Sequence, residues 1–274
     1  MKMMKTLIML PVVTFFLCCV SGMVQAQNTA KTYVLAVGGI HKDPMEISDQ
    51  DGFLVQLRDA FAASCPNSLF VLTPPGSSVP NSSGTSSAES VRGAMQSLSG
   101  AIQAGDRFIF YYVGQANVVN DDLRLNLPGE DITHRDLSRW LGEIHSATAV
   151  VILDCPGAGL AIESLAGPGK IVIASARSDQ PYSTIFSRHF IPALTAIEGD
   201  GNGDGAISLL EAFQRAAQEI DRLYREQDFL RTENALLEDN GDGVPSQQPW
   251  RYEEEDVDGR IAAHYFPLEM RQSP

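Results

Sequence analysis

Short unbroken apolar runs alternate along the chain with stretches whose apolar residues recur at helical spacing. The clearest run is Ala149-Val-Val-Ile-Leu153, closed by Asp154, Cys155 and Pro156 and then by Gly157-Ala-Gly159. An apolar run of this length bounded by turn residues predicts a strand buried on both faces, the central kind in a parallel sheet. Thr32–Gly39, Ser68–Thr73, Asp106–Gly114 and Lys170–Ala176 read as further strands. Between them, Asp51–Ala63 has helical spacing, with Phe53, Leu54, Leu57 and Phe61 in phase. Ser87 caps a helix to about Ala104, and Thr133 caps one to Ile144. Helical segments follow at Phe186–Ile197 and Ser208–Glu226.

Residues 40–50 read as a polar loop, Pro74–Ser87 as a flexible surface loop, and Leu123–Leu127 with Pro128-Gly129 as a short hairpin. Strands alternating with helices predict an α/β, doubly wound, mostly parallel sheet with helices on both faces. In such sheets ligands and chemistry sit outside the carboxyl ends of the strands.

The chain starts Met1-Lys-Met-Met-Lys5, runs apolar from Thr6 to Val20, and has Val24 and Ala26 at signal-cleavage spacing. This predicts a secretory signal peptide over 1–26, and so an exported, periplasmic or extracellular protein without a membrane span once the signal is removed. The alternative, a membrane anchor, is opposed by the short run and by Pro11. The remaining residues divide into an α/β domain over 27–197, a loop and exit helix over 198–226, and an irregular acidic extension over 227–274.

Formal charge is -14 for the whole chain, and loss of Lys2 and Lys5 takes it to -16. From Glu198 onward there are 18 Asp/Glu against 7 Arg and no Lys. Such a surface argues against nucleic acid and favours cations. Two cysteines survive signal removal, Cys65 and Cys155, and an oxidising compartment would permit their pairing. Cys65 follows a returning helix whereas Cys155 ends a strand, so no disulfide is expected.

The most specific pattern is Asp200-Gly-Asn-Gly-Asp-Gly-Ala-Ile-Ser-Leu-Leu-Glu211, which meets the demands of a twelve-residue EF-hand loop. Asp200, Asn202 and Asp204 would supply side-chain oxygens to Ca²⁺, Ala206 its carbonyl, Ser208 a water-mediated contact, and Glu211 the closing carboxylate. The helical segments on either side complete a helix pair. A second acidic stretch, Glu238-Asp-Asn-Gly-Asp-Gly243, starts the same way, but Pro245 and Pro249 fall at the eighth and twelfth positions. It reads as a turn or a partial site. Of the five histidines only His41 lies on a loop after a strand's carboxyl end, and each is expected to be an ordinary surface histidine.

The order of elements from Thr32 to Ala196 resembles the caspase-like fold of the caspase and legumain cysteine peptidases, particularly bacterial exported members that carry an EF-hand. The stretches that carry the likeness are Asp106–Gly114, Leu125–Thr133, Lys170–Ser178, Ser208–Phe213 and Thr232–Gly243. In active members the third strand ends in a Gly-His-Gly type turn that supplies the base. The fourth ends in an acidic residue, any residue, the nucleophilic Cys, a small residue and Gly. The resemblance therefore implies a base at Gln115 and, anchored on Asp154 and Gly159, a nucleophile at Pro156. Cys155 falls one residue early, and a one-residue step along a strand points a side chain to the opposite face. Glutamine takes up no proton near neutral pH and proline offers no nucleophile.

Three functions follow from these readings. The first is a calcium-binding pseudopeptidase that holds a peptide or protein without cutting it. The second is an active peptidase using Cys155 with His41 as a displaced base. The third is a purely structural calcium-binding protein of the envelope.

Overall fold

A computed structural model describes residues 30–251 and 257–268; the signal segment expected over 1–26 lies outside them. The first strand, β1 (Thr32–Gly38), shows why the apolar runs are continuous. Val34 and Ala36 enter one core cluster and Leu35 and Val37 the other, on opposite faces of the same sheet. Both faces are covered, so neither set of positions needs to be polar.

Helix α1 (Pro44–Ala62) starts seven residues earlier than the apolar spacing indicates. Asp43 caps it by accepting from the Met45 amide at 2.7 Å, and Pro44 occupies the first turn. Its opening turns face a cleft rather than the core, so the apolar stripe begins only at Phe53. Strand β2 (Leu69–Thr73) pairs in parallel with β1. The following loop is anchored rather than flexible: buried Asp51 accepts from both the amide and the hydroxyl of Ser78 and from the hydroxyl of Ser77. It also contains β3 (Gly84–Thr85), which extends the sheet beyond β2. Composition reports a loop's polarity but not the buried carboxylate that gathers its donors.

Helix α2 (Ala88–Ala101) begins at its Ser87 cap as expected and buries Val91, Met95 and Leu98. Strand β4 (Arg107–Val113) lies on the other side of β1. A small antiparallel sheet follows: β5 (Ala116–Val119), β6 (Asp122–Leu125) and β7 (Ile132–Thr133). Its tight turn is Asn120-Asp121, both with positive φ, not Pro128-Gly129. These are residue types that tolerate the left-handed conformation a two-residue hairpin needs. Helix α3 (His134–Leu141) has a Thr133/Asp136 capping box and stops short of Ile144. His134 is buried, with Nδ1 accepting from the Leu123 amide at 3.0 Å, so it is a packing residue and not a surface one.

Strand β8 (Thr148–Asp154) pairs with β4, and β9 (Lys170–Ala174) pairs with β8. Between them runs the short helix α4 (Ile162–Leu165). Helix α5 (Phe186–Ala193) ends just after Pro192, earlier than Ile197, and a separate 3-10 turn spans Ile197–Gly199. Helix α6 (Leu209–Glu226) packs beside it, with the Phe186 ring 6.3 Å from that of Phe213. The tail is less irregular than its charge suggests: β10 (Leu236–Glu238) adds an antiparallel edge strand to β9, and α7 (Arg260–Ala263) follows.

The main sheet therefore runs β10-β9-β8-β4-β1-β2-β3. Helices α1, α5, α6 and α7 cover one face and α2, α3 and α4 the other. This is a doubly wound α/β architecture whose order reverses between β1 and β4. None of the described helices is long and apolar enough to cross a membrane.

Candidate functional site

The reversal point brings together the loops that leave β1, β4 and β8, and glycine makes the approach close. A Cβ on Gly39 would stand 2.1 Å from the Tyr112 hydroxyl, and one on Gly114 would stand 2.6 Å from the Gly39 Cα. That hydroxyl donates to the carbonyls of Gln115 (2.7 Å) and Asn126 (3.1 Å), fixing the backbone after β4. A cavity of ≈ 160 Å³ opens above, with His41, Glu46, Gln115, Pro156 and Ser183 on its walls. A groove of ≈ 590 Å³ shares His41, Glu46 and Gln115 with it and extends past Asn117 and Asp131.

Inside the cleft a polar chain connects three loops. The Gln115 side-chain amide donates to Ser183 Oγ at 2.9 Å, and Ser183 Oγ donates to Glu46 Oε1 at 2.6 Å. His41 Nδ1 lies 3.2 Å from Glu46 Oε2, while its buried Nε2 has no partner. The Ser183 hydrogen bond, with help from His41, holds the Glu46 carboxyl below its ordinary range. Glu46 is thus held as a carboxylate that accepts from Ser183.

The cleft wall from Thr184 to Ser187 hangs on two buried carboxylates. Asp154 accepts from the Thr184 hydroxyl and from the Ser187 amide at 2.8 Å. Glu233, from the tail, accepts from the Ile185 amide at 3.1 Å and from the Tyr224 hydroxyl at 3.3 Å. Burial, reinforced by the nearby Asp154 charge, raises the Glu233 carboxyl to about 8. At the rim, Arg188 pairs with Asp49 at 2.6 Å.

The structure separates the two residues at the end of β8. Pro156 lines the cleft with Gln115 and His41, whereas Cys155 is fully buried in the core cluster of the opposite face. Burial, then the Asp154 charge, pushes the Cys155 thiol well above its ordinary range, which disfavours the reactive thiolate. Cys65 belongs to the other cluster, so the two sulfurs lie on opposite sides of the sheet. Sequence reasoning missed Glu46, Ser183 and Glu233. Glu46 carried a signal, since Asp43-Pro44 marks a helix start and would have turned residues 44–50 toward the cleft. Ser183 and Glu233 carried none.

The loop after the Ile197–Gly199 turn is wound around its own carboxylates. Asp200 accepts from the amides of Gly203 (2.6 Å) and Gly205 (2.8 Å), Asn202 Oδ1 from that of Asp204 (2.8 Å), and Asp204 from that of Ala206 (2.9 Å). Glu211 reaches back across the loop to the Gly201 amide at 2.9 Å and forms a capping box with Ser208. Gly203 and Gly205 take φ of 74° and 88°, which favours glycine. The donor set is all oxygen, which suits a hard divalent cation. Among the described residues, however, no three or more His, Cys, Asp or Glu side chains form a group able to hold a metal ion. Compared with models of protein families and with curated proteins, the chain matches none.

Proposed function

We propose that this chain is an exported, calcium-binding relative of the caspase-like and legumain-like peptidases whose active site has become a binding cleft for a peptide or protein. One observation carries the reading. Gln115 and Pro156, the positions that the resemblance assigns to base and nucleophile, line the same cleft, while Cys155 faces away from it. The same burial weighs against a peptidase built from Cys155 and His41, since acyl transfer needs a thiol within reach of its base.

Gln115, Ser183 and Asn117 offer donors and acceptors to an extended backbone. Glu46, Asp49 and Asp131 outnumber Lys42 and Arg188 around the cleft, which favours a basic segment. In the loop after Ile197–Gly199, Asp200, Asn202, Asp204, the Ala206 carbonyl, Ser208 and Glu211 would hold Ca²⁺, giving an EF-hand with the helices on either side. The ion would fix the turn between α5 and α6.

The test is selection from a displayed library of Lys/Arg-containing peptides against the mature protein in calcium. Selected peptides should bind the wild type, lose binding to Ser183→Trp, and stay intact by mass spectrometry after long incubation. Cleaved peptides would overturn the reading. Absence of any cleft-dependent binder would leave the purely structural role in its place.

A further inference from the structure

The acidic stretch after β10 repeats the backbone of the first loop almost bond for bond. Glu238 accepts from the Gly241 amide at 2.6 Å and the Gly243 amide at 3.3 Å, as Asp200 does from Gly203 and Gly205. Asn240 Oδ1 accepts from the Asp242 amide at 2.9 Å, and Asp242 Oδ1 from the Val244 amide at 2.7 Å. Gly241 and Gly243 take φ of 87° and 78°. A pair of bonds between Leu237 and Ser246, 2.9 and 2.8 Å, closes the loop at its base.

Those bonds alone describe a well-made turn. What they leave over is one atom. Glu238 is fully buried, its Oε1 takes both glycine amides, and its Oε2 is buried with no hydrogen-bond partner. A carboxylate oxygen removed from water without a donor is costly unless a cation or a proton meets it. The surroundings supply more negative charge. The returning chain lays buried Asp258 against the loop, where it accepts from the Asp239 amide at 3.1 Å and from Asn240 and Ser246.

We propose that the loop Glu238–Val244 is a second divalent-cation site, for calcium by its all-oxygen chemistry. Its closing group is not the twelfth residue of the loop but Asp258, from the returning chain. Glu238 Oε2, the Asn240 and Asp242 side chains and the Val244 carbonyl contribute oxygens. Water completes the shell toward Asp258, because the carboxylates alone form no closed set. Asp239, the remaining acid, is committed to the amides of Gly259 (2.7 Å) and Ala262 (2.8 Å) and holds α7 in place. The bound ion would therefore fasten the edge strand β10 to the last helix. This site does not depend on the loop Asp200–Glu211 or on the peptide-binding reading.

Calcium stoichiometry on the mature protein, by equilibrium dialysis with metal analysis, tests it in five forms: wild type, the single variants Glu211→Gln, Glu238→Gln and Asp242→Asn, and the double variant Glu211→Gln with Asp242→Asn. Two ions per chain are expected in the wild type and one in each variant, with Glu211→Gln plus Asp242→Asn binding none. Glu238→Gln is close in shape and removes the stranded charge, so its melting midpoint in EDTA should match or exceed the wild type. That separates loss of a ligand from loss of the fold. A single wild-type ion lost with Glu211→Gln, or two ions retained by both Glu238→Gln and Asp242→Asn, overturns the second site. A single ion lost with Asp242→Asn but kept by Glu211→Gln upholds it and removes the first.

Discussion

Asp154 and Glu233 grip the same stretch of backbone: one accepts the Ser187 amide at 2.8 Å and the other the Ile185 amide at 3.1 Å. Both are buried, they come from the end of β8 and from the tail, and their charges oppose one another. The cleft wall between Thr184 and Ser187 is therefore held by a pair that accommodates only one full charge comfortably.

That arrangement makes stability depend on pH. Glu233 is raised from its ordinary 4.5 to about 8, so between these values the folded protein keeps a proton that the unfolded chain releases. Its contribution is fully present below pH 4.5 and is lost as pH rises through 8, on the order of several kcal/mol. Urea unfolding at pH 5 and pH 8.5 should show Glu233→Gln gaining on the wild type by a few kcal/mol across that interval. Equal losses in the two proteins would mean that Glu233 titrates normally.

Calcium should raise the melting midpoint through the loop Asp200–Glu211. In the exported setting proposed above, a loop of this type is expected to bind with Kd on the order of 10⁻⁴ to 10⁻³ M, and calcium at ~100-fold above Kd stabilises by ~2.7 kcal/mol. Glu211→Gln should remove most of the shift assigned to this loop. Identical wild-type midpoints in EDTA and in excess calcium would count against any ion here.

Cys155 should behave as a packing residue. Iodoacetamide at neutral pH should modify it at least ~100-fold more slowly in the folded protein than in urea, because its thiol is buried and its ionisation suppressed. Cys155→Ala should cost about 1–2 kcal/mol of stability and leave any peptide binding intact. Peptide cleavage by the wild type that Cys155→Ala abolishes would place the nucleophile there after all.

Close approach of Gly39 to the Tyr112 hydroxyl should be measurable as coupling. Gly39→Ala sets a methyl group against the Tyr112 hydroxyl and should destabilise by about 2–4 kcal/mol. In a Tyr112→Phe background, where that oxygen is gone, the same substitution should cost ~1 kcal/mol less. Strict additivity in the double-mutant cycle would show that the backbone, not the hydroxyl, sets the limit.

Much of this architecture is legible in the chain because parallel strands buried on both faces have to be apolar throughout. The runs at Thr32, Arg107, Thr148 and Lys170 therefore announce themselves, and the helices with one wet face show their stripe. The glycine turns within Asp200–Glu211 are legible for a similar reason, since the Asp200 carboxylate and the glycine amides it accepts from are neighbours in sequence. What alternation along β8 leaves open is which face Cys155 takes, and the packing of Val151, Leu153 and Cys155 on one side settles that in the structure.

Contacts between residues far apart in sequence left no local trace. The first turns of α1 are polar because they line a cleft, so their helix was hidden from any hydrophobic period. The Gln115–Ser183–Glu46 chain joins residues up to 137 positions apart. Glu233, Glu238 and Asp258 read in sequence as an acidic surface tail, yet all three are buried. Nothing in the sequence pattern marks Glu233 or Asp258 as buried, because the amides of Ile185 and Asp239 that they accept from are brought to them only by the tertiary fold.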